Sequence, residues 1–295
     1  MMSVRVDAHQ HFWHYDSAEY AWIDESMAAL RRDFMPEELA HEMAGAGFHA
    51  CVAVQTRQML EETAWLLSLA GRHAFIAGVV GWVDLQADDV RAQLQQAASN
   101  PRLVGIRHLV QSEADDRFLL RPAFCRGIAL LEEFGLTYDI LVYPRHLPVA
   151  AEFVARFERQ AFVLDHLAKP GIRSGRVQVW ERDLRRLAQF QNVWCKLSGL
   201  VTEADWNGWT PAQLRPYLDV AFDCFGPDRL MIGSDWPVCT VAADYRRTVG
   251  VVVEYLRDRP LDVQEAVLGG NAQKFWKLKP VIARCGEDCE GKIAL

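Results

Sequence analysis

The chain has 295 residues, 51% hydrophobic and 24% charged, with a net charge of -7. That length can fill one large α/β barrel or two ordinary domains, and the composition is that of a globular enzyme. The acidic balance, with no basic stripe, argues against nucleic acid or an anionic membrane as a partner.

Short apolar or β-branched runs recur at fairly even intervals. They predict strands over Val4 to Asp7, Cys51 to Gln55, Phe75 to Val83, Leu103 to Ile106, Leu136 to Val142, Phe162 to Leu164, Val193 to Leu197 and Leu230 to Ile232. The first connection, Phe12 to about Asp33, is long and rich in Trp, Tyr and Asp, as loops that shape a site often are. Helical stripes fall between the strands: Leu60, Ala64 and Leu67, then Ile128, Leu131 and Phe134 just before Gly135. Thr210-Pro211 reads as a helix start, and Asp262-x-x-Glu265 as a capping-box-like one. Trp65, Trp180 and Trp276 lie in helical stretches and read as packing. Strand then helix, eight times over, predicts a single-domain (β/α)8 TIM barrel across residues 1–278. A doubly wound sheet is the alternative, weakened by the lack of G-x-G-x-x-G after the first strand. Residues 279–295, polar and carrying Cys285 and Cys289, read as a C-terminal extension outside the barrel.

Seven cysteines, an odd number without C-x-x-C, fit a reducing compartment. Met1 to Arg5 leads straight into a strand with no apolar signal segment, and no run is long enough to span a bilayer. The expected location is the cytoplasm. Monomer and homo-oligomer are both open.

The ionisable residues cluster at strand ends. His9 and His11 end the first strand, two apart and so on one side of it. Arg107 and His108 end the fourth, Tyr143 and Arg145 follow the fifth, and Asp165, His166 and Lys169 follow the sixth. Asp235 follows the eighth, in Ile232-Gly233-Ser234-Asp235-Trp236-Pro237. In a barrel these all converge on the C-terminal rim. Singly, each has a plain structural reading: H-x-H within a strand, Asp235 in an Asx-turn, His166 beside Asp165 as a satisfied pair, Arg107 as an ion-pair partner. Their conjunction is what points to chemistry. Two or three imidazoles and a carboxylate can hold a divalent ion such as zinc, or can act without metal as a general acid/base cluster. Arg107 can polarise a carbonyl and hold an oxyanion.

The motifs are specific enough to carry a family resemblance. Val6-Asp7-Ala8-His9-Gln10-His11-Phe12-Trp13 resembles the opening motif of the amidohydrolase superfamily. Tyr20-Ala21-Trp22-Ile23, Ala77 to Asp84, Val104 to His108, Leu164 to Pro170, Cys195 to Leu200 and Gly233 to Cys239 follow in the family's order. Together, from about Val4 to Leu278, they resemble its lactonase branch. That resemblance implies hydrolysis of a sugar lactone, L-fuconolactone foremost, in carbohydrate metabolism. It implies His9, His11, His166 and Asp235 as the metal-ligand positions and Arg107 as the contact to the substrate carbonyl. The family's lysine or histidine at the end of strand five has no counterpart near Val142-Tyr143-Pro144, which argues against a two-metal site. A single zinc is compatible with the set but not required, and no organic cofactor is expected.

For such a reaction Asp235 is expected to take a proton from water. Arg107, with His108, would hold the carbonyl oxygen, and Asp235 or His166 would return the proton to the ring oxygen. No covalent nucleophile is needed, and there is no G-x-S-x-G. Trp22, Tyr143, Arg145 and Trp236 are candidates to contact a hydroxylated ring, and Trp206 and Trp209 to close the pocket. The rival readings are a lactonase for an aromatic-degradation dicarboxylate, a metal-dependent decarboxylase, and a sugar-binding protein without catalysis.

Overall fold

The structure is a computed structural model that describes residues 3–279. Eight strands pair in sequence order: β1 (Val6–Gln10), β2 (Ala50–Val54), β3 (Ile76–Gly81), β4 (Leu103–His108), β5 (Thr137–Ile140), β6 (Phe162–Leu164), β7 (Val193–Leu197) and β8 (Leu230–Ile232). Every pairing is parallel. The chain after β8 returns to β1: Asp235 N donates to His9 O at 2.8 Å and His11 N to Trp236 O at 2.7 Å. One helix follows each strand in turn: α1 (Pro36–Ala46), α2 (Leu60–Arg72), α3 (Val90–Ala98), α4 (Pro122–Leu131), α5 (Leu147–Val154), α6 (Gln178–Leu187), α7 (Pro211–Phe225) and α8 (Tyr245–Leu256). The expected (β/α)8 barrel is what forms. Among the described residues, no helix is long and apolar enough to cross a membrane. The expected extension over 279–295 lies, except for Lys279, outside the described residues.

Two apolar layers hold the barrel. One lies between strands and helices. The other fills the lower interior with Val6, Ala8, Val52, Val54, Val80, Val163 and Met231, closed from below by Phe275 and Trp276 of α10 (Asn271–Trp276). Trp276, expected as packing, is a floor plug: its Nε1 donates to Thr137 Oγ1 on β5 at 3.0 Å.

β1 carries the irregularity that builds the site. Asp7 pairs with Cys51 but Gln10 pairs with Ala53, so β1 has one residue more than β2 over this stretch, as in a β-bulge. The bulge resets the in/out alternation. Val6 and Ala8 face the barrel interior, and so do His9 and His11, while Asp7 faces the helices. There Asp7 accepts from Ser234 N (2.9 Å), Ser234 Oγ (2.6 Å) and Tyr245 Oη (3.1 Å), tying the loop after β8 to β1. Burial still pushes its carboxyl up to about 6.

α7 starts as expected, with Pro211 in the first turn and Gln213 Oε1 accepting from Thr210 N at 2.9 Å. The second start is a correction. α9 (Leu261–Glu265) follows Pro260, so Asp262 sits inside the first turn and caps nothing.

Candidate active site

A cavity of about 380 Å³ opens at the C-terminal end of the strands, with His11, Arg107, His166 and Asp235 in its floor. Trp22, Tyr143, Lys169, Glu203 and Trp206 are among its walls. His9 is fully buried just beneath.

The imidazoles gather around one carboxylate oxygen. Asp235 Oδ1 is 3.3 Å from His11 Nε2 and 3.9 Å from both His9 Nε2 and His166 Nε2. The chain adopts uncommon conformations to achieve this. Asp235 has φ 58°, and His166, Leu167, Ala168 and Lys169 all lie between 52° and 59°. Each such non-glycine residue costs about 1–2 kcal/mol, and the surrounding packing must hold it. For His166 that hold is visible: Nδ1 is 2.8 Å from Ser198 Oγ. A Cβ on Gly199 would come within 2.7 Å of the same ring, so only glycine fits there.

Burial disfavours the charge on Asp235, but His166, His11 and His9 outweigh it and hold the carboxyl well below its usual range. Burial lowers His166 to about 4, with Lys169 and Arg107 adding to the effect. His9 is likewise held well below the ordinary imidazole value by burial and by Lys196. These two rings are therefore neutral near pH 7, and at 3.9 Å each stands beyond direct hydrogen-bond reach of Asp235, leaving room between them.

Under the histidines lies a layer of charge. Arg107 Nη1 is 3.0 Å from Asp165 Oδ2 and 3.1 Å from His9 Nε2, and its Nη2 donates to Gln55 O. Its Nε has no partner among the described residues. Lys196, from β7, is fully buried. It pairs with Asp139 of β5, lies 2.9 Å from Asp165 Oδ1, and reaches His9 Nδ1 at 3.2 Å. Burial raises Asp139 to about 7 against the pull of Lys196. Burial also opposes the charge on Asp165, but Lys196, His9 and Arg107 outweigh it and keep that carboxyl well below its usual range.

The donor set fits a divalent ion. His11 Nδ1 lies 2.7 Å from Val54 O, so the ring donates there and leaves Nε2 with its electron pair. His9 Nε2 and His11 Nε2 are 3.2 Å apart and His11 Nε2 is 3.3 Å from Asp235 Oδ1. Ligands on a tetrahedral ion with bonds of about 2.0–2.1 Å stand roughly 3.4 Å apart. His9, His11 and Asp235 would hold the ion. Arg107, however, faces the same Nε2 of His9.

Three expected contacts are corrected. His108 does not line the cavity: Trp82 Nε1 donates to its Nδ1 at 3.3 Å, Glu113 takes its Nε2 at 2.7 Å, and Phe118 stacks on it. Arg145 turns outward to Asp116 at 2.9 Å. Trp236 is buried against Phe12 and Phe34. Trp209 is also buried, donating to Ala242 O, whereas Trp22, Tyr143 and Trp206 do line the cavity. The sequence reading assigned no role to Lys196, Asp139 or Glu203. The available signal was a lysine and an aspartate inside apolar strand runs, Trp194-Cys195-Lys196-Leu197 and Tyr138-Asp139-Ile140.

The sequence matches the amidohydrolase family profile over residues 6–278. The chain belongs to the amidohydrolase family. This amidohydrolase is 42% identical over 296 residues to the L-fucono-1,5-lactonase of Burkholderia multivorans, covering 96% of this chain and 100% of that protein. It is 41% identical to the L-fucono-1,5-lactonase of Burkholderia ambifaria, covering 94% and 97%. It superposes on a crystal structure of an amidohydrolase from B. multivorans with bound zinc at a TM-score of 0.90, with 41% identity, covering 94% of this chain and 100% of that one.

Proposed function

We propose that this protein hydrolyses a sugar lactone, L-fucono-1,5-lactone foremost, to its aldonic acid. The observation that carries this reading is Asp235, ringed by three imidazoles on the floor of a cavity that Arg107 also lines. The 42% identity to a protein named L-fucono-1,5-lactonase supports the choice of sugar.

Asp235 takes a proton from a water molecule lodged between it and His11 or His166, and the water oxygen attacks the lactone carbonyl. Negative charge develops on the carbonyl oxygen, and Arg107, which lines the cavity floor, stabilises it. The tetrahedral centre collapses with cleavage of the bond to the ring oxygen. Asp235 returns its proton to that oxygen, freeing a hydroxyl, and the new carboxylic acid ionises in water. A divalent ion held by His9, His11 and Asp235 would acidify the water and polarise the carbonyl. The protein's own groups supply base, acid and cation, so the ion is not required. Trp22, Tyr143 and Trp206 offer flat faces and polar edges to a hydroxylated ring. The five described cysteines are free, which suits a cytoplasmic enzyme.

A dicarboxylate lactone would need spare cations. Arg107 already faces Asp165, Arg145 faces Asp116 outside the cavity, and Lys169 shares the wall with Glu203. The test is a pH-indicator assay on a panel of sugar γ- and δ-lactones, with native and chelator-treated protein and with Asp235→Asn. Acid release from L-fucono-1,5-lactone that Asp235→Asn abolishes is the expected result. No release from any lactone, with or without added zinc, refutes the reading.

A further inference from the structure

We propose that Lys196 sets how loosely the site holds a divalent ion, so that cations built into the barrel act where a metal otherwise would. This rests on His9, His11 and Asp235 being the ion's ligands.

Both nitrogens of the His9 ring face a fixed cation. Lys196 Nζ stands 3.2 Å from Nδ1 and Arg107 Nη1 3.1 Å from Nε2. A ligating histidine ordinarily donates its far N–H to a carboxylate, which makes the near nitrogen more basic. Asp165 is in place for that, its Oδ1 3.4 Å from His9 Nδ1. Lys196 stands closer, and it also binds the same Asp165 oxygen at 2.9 Å, so it draws away the electron density the ring would receive. No solvent dilutes this charge: Lys196, Asp139 and Asp165 are each 0% exposed, and the Trp276 ring lies 5.2 Å below Nζ. A third cation at His9 would meet repulsion from two already present.

Zinc affinity, measured by competition with a chromophoric chelator at fixed pH, reads this directly and does not depend on turnover. Lys196→Gln keeps a donor and removes the charge, and should bind zinc at least about tenfold more tightly. Lys196→Arg keeps the charge, and should stay within about threefold of the parent. Circular dichroism melts establish that each variant is folded. Should Lys196→Gln fail to fold, Asp139→Asn/Lys196→Gln is compared with Asp139→Asn, and the same tenfold tightening is expected. Unchanged or weaker zinc binding on removal of the charge overturns the proposal, as does equal tightening in Lys196→Arg. A lactone assay that fails while zinc affinity shifts as stated would refute the proposed reaction and leave this role standing.

Discussion

Gly199→Ala tests whether the placement of His166 governs the rate. The added Cβ would sit 2.7 Å from His166 Nδ1 and 2.8 Å from its Cγ. Ordinary contact requires the ring to retreat by roughly 0.7 Å. The ring is bonded to Ser198 at 2.8 Å and its centroid is 4.3 Å from that of His9, so it can retreat only by disturbing the cluster around Asp235. A misplacement near 1 Å at a reacting group can cost about 100-fold, so kcat should fall roughly 30- to 100-fold. The backbone adds a separate cost, because φ is +68°. That cost is about 1–2 kcal/mol and lowers the melting temperature by a few degrees. Gly175→Ala isolates it: φ is +65° and nothing lies within 4 Å of the new Cβ. Initial rates on L-fucono-1,5-lactone and thermal melts of both variants decide the matter. A larger melting shift in Gly199→Ala than in Gly175→Ala, with activity lost only in Gly199→Ala, is expected. If Gly199→Ala keeps kcat within twofold of the parent while folded, the position of His166 does not govern the rate.

The pH–rate profile should have its acid limb far below the ordinary imidazole range. His166 is neutral above its lowered value of about 4, so kcat/KM should hold from neutrality down to about pH 5 and fall as pH approaches 4. A limb centred near 6.5 would contradict this assignment. Arg107→Met should lower kcat/KM by about 10²–10³-fold through loss of oxyanion stabilisation. Arg145→Ala, which breaks only an exposed pair with Asp116, should change kcat/KM less than about threefold. Comparable losses in both would place Arg145 at the substrate after all.

The barrel was legible because the strands fall in short apolar or β-branched runs at fairly even intervals, and four of the eight begin or end where those runs do. The first strand was expected to end at Asp7, but it runs to Gln10, which pairs with Ala53 beyond the bulge. Nothing in Asp7-Ala8-His9 announces an extra residue, since a bulge is set by its neighbour's register. His11, His166, Arg107 and Asp235 could be read from their positions at strand ends. His108 follows Arg107 in β4 and so points to the opposite, helix-facing side, whereas Arg145, in the turn after β5, is drawn outward by Asp116 in a loop whose path local sequence does not fix. Lys196 and Asp139 went unassigned for a different reason. Their meaning comes only from pairing across the barrel, at a sequence separation of 57 residues.

Among the described residues, Trp276 and Phe275 seal the barrel from beneath, and the cavity opens at the opposite end. Substrate enters and the hydroxy acid departs through the same mouth, past Trp22 and Trp206. Each departing anion must clear that passage before the next lactone arrives. Accumulated product is therefore expected to compete with substrate for entry, and initial rates with added aldonate should show competitive inhibition.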